Sequence, residues 1–467
     1  MNRLHIMLNN RKRFVCAAAM AAVFVILAGG ANALALRPSV VWCVTKTSYV
    51  PNPACTPATT FTTITAVLSN SSPPGPIASF DVIVVAPGYY NESVEITNPN
   101  ISIFGAQAGR DARVDRWNPA NESIVDATNQ ESTSGVGGGG AAFRVGASNV
   151  TIDGFTIEGG GVVTTNPLGP NASGIYVGDY PSVQILNNII QNNAVGVFLS
   201  ASLSSLVEYN LFKTNNAGAA GVGTGLFSSM AGFGLAANDP QWDAITENQF
   251  KGNMATAIDM LYGTDMQVTN NTSEKDGAFA VLVGGQGNSV SHNQGQNFCP
   301  KLPLPETTPS SLPAEAAIDV GRGGEYLQVN DNDLEEGRTA EYNGIAFSIY
   351  FGSGYCLNCE VSNNKIKQFA GDGIIAETMG GSETLNSSLI TGNDVERNGY
   401  DGILIANGLN YNNTFADNLA EGNHVNDCED YTYYGTPGIG TGDTHNTWFN
   451  NIGPISDPPG ICAPRMW

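Results

Sequence analysis

Apolar residues in this chain recur as short β-branched runs between polar turns, and one arrangement marks unit after unit. An apolar residue, two spacers and an asparagine stand at Ile185–Asn188, Val207–Asn210, Ile245–Asn248, Val268–Asn271, Val290–Asn293, Val329–Asn332, Val361–Asn364, Ile390–Asn393 and Phe415–Asn418. The stretch from Val361 to Ala406 holds the unit twice: Asn364 aligns with Asn393, Ile366 with Val395, Asp372 with Asp401, Gly373 with Gly402 and Ile374 with Ile403. Neither copy is long enough to bury its own apolar face, so the copies must stack. The closest asparagine steps are 22 or 23 residues (188 to 210, 248 to 271, 271 to 293), and the longer ones carry insertions. A period near 22 with two or three strands per turn fits a coiled parallel sheet, each coil pairing with the next at roughly 4.8 Å. The stacked amides then form a ladder, and asparagine tolerates the left-handed backbone of a sharp turn. On this alignment Asp153 of Val150–Ile157 takes the asparagine position of an early coil.

These coils resemble the repeats of the right-handed, pectin-lyase-like parallel β-helix proteins over roughly Asp81 to Asn451. The resemblance implies an all-β, single-stranded right-handed parallel β-helix, a solenoid in one continuous domain. It leaves activity open, because this superfold carries lyases, hydrolases, esterases, epimerases and binding proteins. Thr60 to Leu68 places Phe61, Ile64 and Leu68 on one helical face, which predicts a short helix plugging the open end. The expected organisation is a signal peptide over 1–35, an N-terminal cap over 36–80, coils over 81–427 and a C-terminal cap over 428–467.

The first 35 residues have a basic start (Arg3, Arg11, Lys12, Arg13), an apolar run from Phe14 to Leu27, and small-residue cleavage sites at Ala31-Asn32-Ala33 and Ala33-Leu34-Ala35. That pattern predicts export, to the periplasm, cell envelope or medium, with no membrane span after cleavage. The formal charge is −22. The leader holds four basic and no acidic residues, so the rest carries 16 basic against 42 acidic residues, a net −26. Such a surface repels nucleic acid and anionic membrane. Export permits disulfides. Cys43 with Cys55, around a Pro-rich loop, and Cys428 with Cys462, flanking the tail, are the expected pairs. Cys299, Cys356 and Cys359 remain, and the Cys356-x-x-Cys359 spacing is open to redox or metal chemistry.

Candidate chemistry follows from the strand alternation. Taking Leu404 as outward and carrying the register back gives an outward column of Tyr176, Phe198, Phe227, Asp259, Leu282, Asp319, Ala346, Ile375 and Leu404. Aromatic faces stack on sugar rings, and two carboxylates can do glycosidic acid–base work. Tyr176, Phe198 and Phe227 are therefore the expected substrate-binding residues. Asp259 and Asp319 are the expected catalytic pair, with Arg322 orienting a carboxylate or uronate. The alternative is that this row packs under the insertions at 106–142, 214–242 and 299–313. No cofactor is implied, although Asp331, Asp333, Glu335 and Glu336 are dense enough to hold Ca²⁺. His292, His424 and His445 have no metal-ligand spacing. Gly88–Glu92 has the GxYxE form of a pectin methylesterase motif, but no DFIFG-like or LGRPW-like segment accompanies it. The leading expectation is an exported protein that binds polysaccharide or a cell-surface glycan. A polysaccharide hydrolase, lyase or epimerase is the alternative, and a structural or adhesive surface protein is the third class.

Overall fold

The computed structural model describes residues 39–46, 52–71, 75–114, 116, 118–128, 140–161, 173–215, 232–298, 316–321, 324–337, 342–348, 356–377, 385–406, 410–431 and 445–465. These form parallel sheets of 15, 12 and 13 strands, here sheets A, B and C, and every strand pairing within them is between successive coils. The chain runs from A through B to C in each coil, as in Gln184–Leu186, Ile189–Gln191 and Val195–Ser200. Register follows the repeat: Ile185 pairs with Val207, Val207 with Ile245 and Ile245 with Val268. Inward residues of all three sheets share one apolar core.

The corners explain the repeat length. A three-residue strand and a two-residue turn make five residues, and the turn's first residue has positive φ. Counting from the central apolar residue of each A strand, left-handed residues fall two positions later, as at Asn187, Tyr209, Glu247, Asn270, His292, Asp331, Asn363 and Asp417. Others fall seven later, as at Asn192, Lys275 and Asn297, and three earlier, as at Ser182, Trp242 and Tyr326. The ladder asparagine is thus not itself the left-handed residue. It follows that residue and turns its amide inward.

There the amides stack without a break from Asn188 through Asn210, Asn248, Asn271, Asn293, Asn332, Asn364, Asn393 and Asn418 to Asn451. Each Oδ1 accepts from the previous coil's backbone and side-chain amides, as Asn293 does from Asn271 at 2.9 and 3.1 Å. A second ladder of Asn193, Asn215 and Asn253 ends on Asp276. Asp153 is not in the first ladder. It pairs with Leu186, and the ladder position of its coil belongs to Phe155, whose N–H donates to Asn188.

Strand pairing extends past the expected coil bounds at both ends. Val41–Val44 already pairs with Val82–Val85, and Thr447–Phe449 with Thr414–Ala416. The end helix is shorter than expected, Ile64–Leu68, with Thr63 accepting from the Ala66 N–H. Phe61 lies in the strand before it, and Ile64 and Val67 are the buried residues. Glu92 accepts from the Ile64 and Thr65 N–H groups, which fixes this plug to the first coils. Cys43–Cys55 and Cys428–Cys462 are disulfides, and so is Cys356–Cys359, whose sulfurs lie in the core. The leader and Cys299 lie outside the described residues. Among the described residues no helix is long and apolar enough to cross a membrane.

Candidate functional site

From Asn188 onward the A-to-B turn is two residues long in coil after coil, because the asparagine ladder leaves no room for more; before the ladder, residues 105–122 connect Ser102–Phe104 to Ser123–Asp126. Within the ladder, longer connections leave instead from the two edges of sheet C, for instance between Leu211–Lys213 and Phe233–Asn238 on the B side, and between Ile374–Glu377 and Leu389–Thr391 on the A side. Sheet C is therefore the face that the sequence decorates.

Its outward column reads, in register, Glu95, Arg144, Tyr176, Phe198, Ala236, Asp259, Val281, Asp319, Ala346, Ile375, Leu404, Glu429 and Asp457. Two assignments from the sequence change. Val281, not Leu282, stands between the two aspartates, and Leu282 points into the core. Ala236, not Phe227, follows Phe198. Phe227 and Arg322 lie outside the described residues. The slip at 282 arises because Asp276–Phe279 leads straight into its strand, and a shift of one residue exchanges the two faces.

Tyr176 and Phe198 stack on each other, ring centroids 6.0 Å apart and nearly parallel. The Arg144 guanidinium lies 5.7 Å from the Tyr176 ring centre. Phe198 is buried with Val195 and Ala236, so its ring supports Tyr176 and offers no open face of its own. Asp259 and Asp319 share the column two coils apart, roughly 9–10 Å between backbones at the strand spacing. Both are buried, at 9 % and 3 % exposure. Burial alone pushes the Asp259 carboxyl up to about 7. The strand leaves burial at its C-to-A end, where Leu261 is half-buried and Tyr262 is open.

Two features escaped the sequence reading. One is a carboxyl group at the end of the same column: Glu429 bonds the side chains of Asp401 and Tyr431, and burial together with Glu429 raises Asp401 to about 7. Asp401 also receives the Asn426 N–H, and Asp372 receives the Asp401 N–H. The other is a set of exposed aromatics on the C-to-A corner, Trp242, Tyr262 and Tyr326. Their signal was present, because Trp242 and Tyr326 each stand three residues before the apolar residue of the repeat, Ile245 and Val329. The acids at 331–336 are dispersed: Asp331 faces His292 at 3.6 Å, Asp333 faces Lys365 at 3.6 Å, and alternate residues point apart. Among the described residues no three potential metal ligands gather.

A family model described as "Right handed beta helix region" matches residues 118–294. The catalytic unit of a thermostable GH87 α-1,3-glucanase from Streptomyces thermodiastaticus strain HF3-3 is similar with TM-score 0.56 at 14 % identity, over 81 % of this chain and 64 % of that one. The catalytic domain of a GH87 α-1,3-glucanase in complex with nigerose is similar with TM-score 0.52 at 12 % identity, over 84 % of this chain and 66 % of that one. An alginate lyase from Paenibacillus sp. str. FPU-7 has TM-score 0.44 at 16 % identity, over 74 % of this chain and 95 % of that one. The chain thus spans just under two thirds of the first of these structures. A comparison with curated protein sequences finds no match. Identities this low speak for the fold and not for the activity. Ladder, register, the family model and the two likenesses with TM-scores above 0.5 agree: the chain has the right-handed parallel β-helix fold.

Proposed function

We propose that the protein is an exported polysaccharide-active protein that works on the outward side of sheet C, with Asp259 and Asp319 as an acid–base pair for glycoside hydrolysis. The observation that carries this is the placement of two carboxyl groups in one column with a single coil between them. Burial raises the Asp259 carboxyl to about 7, so that about half of it carries a proton at neutral pH. Asp259 then gives its proton to the glycosidic oxygen as that C–O bond breaks. Asp319 takes a proton from the water that attacks the anomeric carbon. A spacing that leaves room for that water belongs to inversion; retention needs the closer separation of about 5–5.5 Å. The glycan enters from the Leu261–Tyr262 edge, and Tyr176 serves as a stacking subsite toward the N-terminal coils. Three disulfides suit an oxidising compartment outside the cytoplasm. The two catalytic-domain likenesses above support a glycan as the substrate class.

A binding-only reading draws on the low exposure of both aspartates. Turnover separates the two. Reducing-end release from soluble glucans is expected for the wild type, with product of inverted anomeric configuration by proton NMR. Asp259→Asn and Asp319→Asn should each lose at least a hundredfold in rate while keeping affinity. Unchanged turnover in both variants would remove the catalytic role and leave binding.

A further inference from the structure

On the A side of the C-to-A corner each coil contributes a left-handed residue, and these stand in register because the residues before them pair in series: Pro181, Leu203, Gln241, Thr264, Gln286, Glu325 and Leu357. The column reads Ser182, Ser204, Trp242, Asp265, Gly287, Tyr326, Asn358, Ser387, Asn412 and His445. Eight of these ten are small or polar types that suit such a turn, or carry a short side chain able to reach back to it. Trp242 and Tyr326 are not. Bulky residues in this backbone region are outliers whose conformation is costly and which cluster at functional sites. Tyr262, also left-handed, stands one coil on from Trp242 in the neighbouring corner column.

Other corner aromatics show what a structural role looks like. Tyr209 is also left-handed, and the Arg113 guanidinium covers its ring at 5.0 Å. Trp242, Tyr262 and Tyr326 instead leave 56 %, 45 % and 52 % of their surface exposed. The Trp242 indole N–H donates to Asp265 at 3.0 Å, which sets the ring's orientation. Gly287, between Asp265 and Tyr326, carries no side chain, and a Cβ there would meet the Asp265 carboxylate at 2.2 Å. From Trp242 to Tyr326 is three coils, about 14 Å along the stack.

We infer that Trp242, Tyr262 and Tyr326 form a stacking ridge that holds an uncharged polysaccharide chain parallel to the coil axis, beside the Asp259–Asp319 column. The inference rests on the polysaccharide reading above and gives it a ligand class and a direction. A platform that repeats with the coil matches a ligand that repeats along its length, and aromatic faces bind the apolar faces of sugar rings. Charge excludes the alternatives. Asp239, Asp265 and Glu325 lie in the same corner segments, so a uronate chain is repelled.

Affinity electrophoresis of the full exported chain tests this, with dextran, pullulan and xylan as uncharged probes and alginate as the polyanion. Retardation by at least one uncharged chain and none by alginate is expected. Trp242→Asn and Tyr326→Asn should each weaken that retardation at least tenfold while the melting temperature holds or rises, because asparagine accepts the left-handed turn. Turnover is measured beside retardation in each variant, so a failure of the catalytic reading leaves this ridge standing and is seen separately. Retardation by alginate alone, no retardation by any uncharged chain, or wild-type affinity in both corner variants would overturn the ridge. So would a fall in melting temperature of several degrees in both variants, which would identify the aromatics as packing residues.

Discussion

At the scale of single residues, burial decides the chemistry more than sequence neighbours do. Asp259 sits on a strand whose inward residues, Ile258 and Met260, are core, and no hydrogen bond from a described residue offsets the loss of solvent. Its folded-state pKa of about 7 lies above the unfolded value of about 3.9. If it is the acid, hydrolysis should fall as pH rises through about 7, and a profile flat from pH 5 to 9 would reject that role. Asp259→Asn should also melt higher than the wild type at pH 8 and close to it at pH 5, since amide replaces a buried charge only at the higher pH. Arg116 offers a contrasting test. Its guanidinium pairs with Glu122 in a nearly dry site and bonds the carbonyls of Asn187 and Phe155. Arg116→Ala would strand the Glu122 charge and should cost about 3–5 kcal/mol, read by chemical denaturation; a loss below about 1 kcal/mol would mean the pair is solvated.

At the scale of elements, the ladder and the disulfides hold the coils in register. Asn293 accepts two bonds from Asn271 and donates to Val268 O and Asn332. Asn293→Ala leaves these buried groups unmet, at about 1–3 kcal/mol for each one left without a partner. An effect within about 0.5 kcal/mol of wild type would show that the ladder is passive. The Cys428–Cys462 bond closes a longer loop than Cys43–Cys55, with separations of 34 and 12 residues. Chain entropy therefore expects its removal by serine to cost about 1 kcal/mol more. Thermal melts of the two double variants compare them directly, and the reverse order would place the larger constraint at the N-terminal end.

At the scale of the molecule, six buried aspartates among the described residues are raised: Asp243 and Asp372 to about 6, Asp259, Asp276 and Asp401 to about 7, and Asp153 in the same direction. Desolvation is the first cause in each. Glu377 and Glu429 face Asp372, Glu429 and Asp372 face Asp401, and all of these raise further. Between pH 4 and 7 the folded chain binds more protons than the unfolded one, so stability falls as pH rises. The stabilising contribution is complete below about 4 and lost through 6 to 7. Melting at constant ionic strength should occur several degrees higher at pH 5 than at pH 8. An equal or higher midpoint at pH 8 would mean that these carboxyls are solvated.

The coil was legible in the sequence because its causes are local. A short β-branched strand, a turn that needs positive φ and a buried amide recur at fixed offsets, and each leaves a residue type behind. The same string also stands at Ile190–Asn193, Phe212–Asn215 and Phe250–Asn253, which is the second ladder, and at Val395–Asn398, whose asparagine pairs with Asn423 further along the same sheet. The sequence also carried Asp259 and Asp319 into one column, since strand alternation survives an insertion when the repeat resumes. It did not carry Val281 over Leu282, because that choice depends on where the strand enters the sheet. Nor did it give exposure, a property of what packs over a residue from elsewhere in the chain. Tertiary structure alone buried Phe198 and Asp259, left Trp242 and Tyr326 open, and set Asp401 against Glu429 across coils, because those contacts join residues that only stacking brings together.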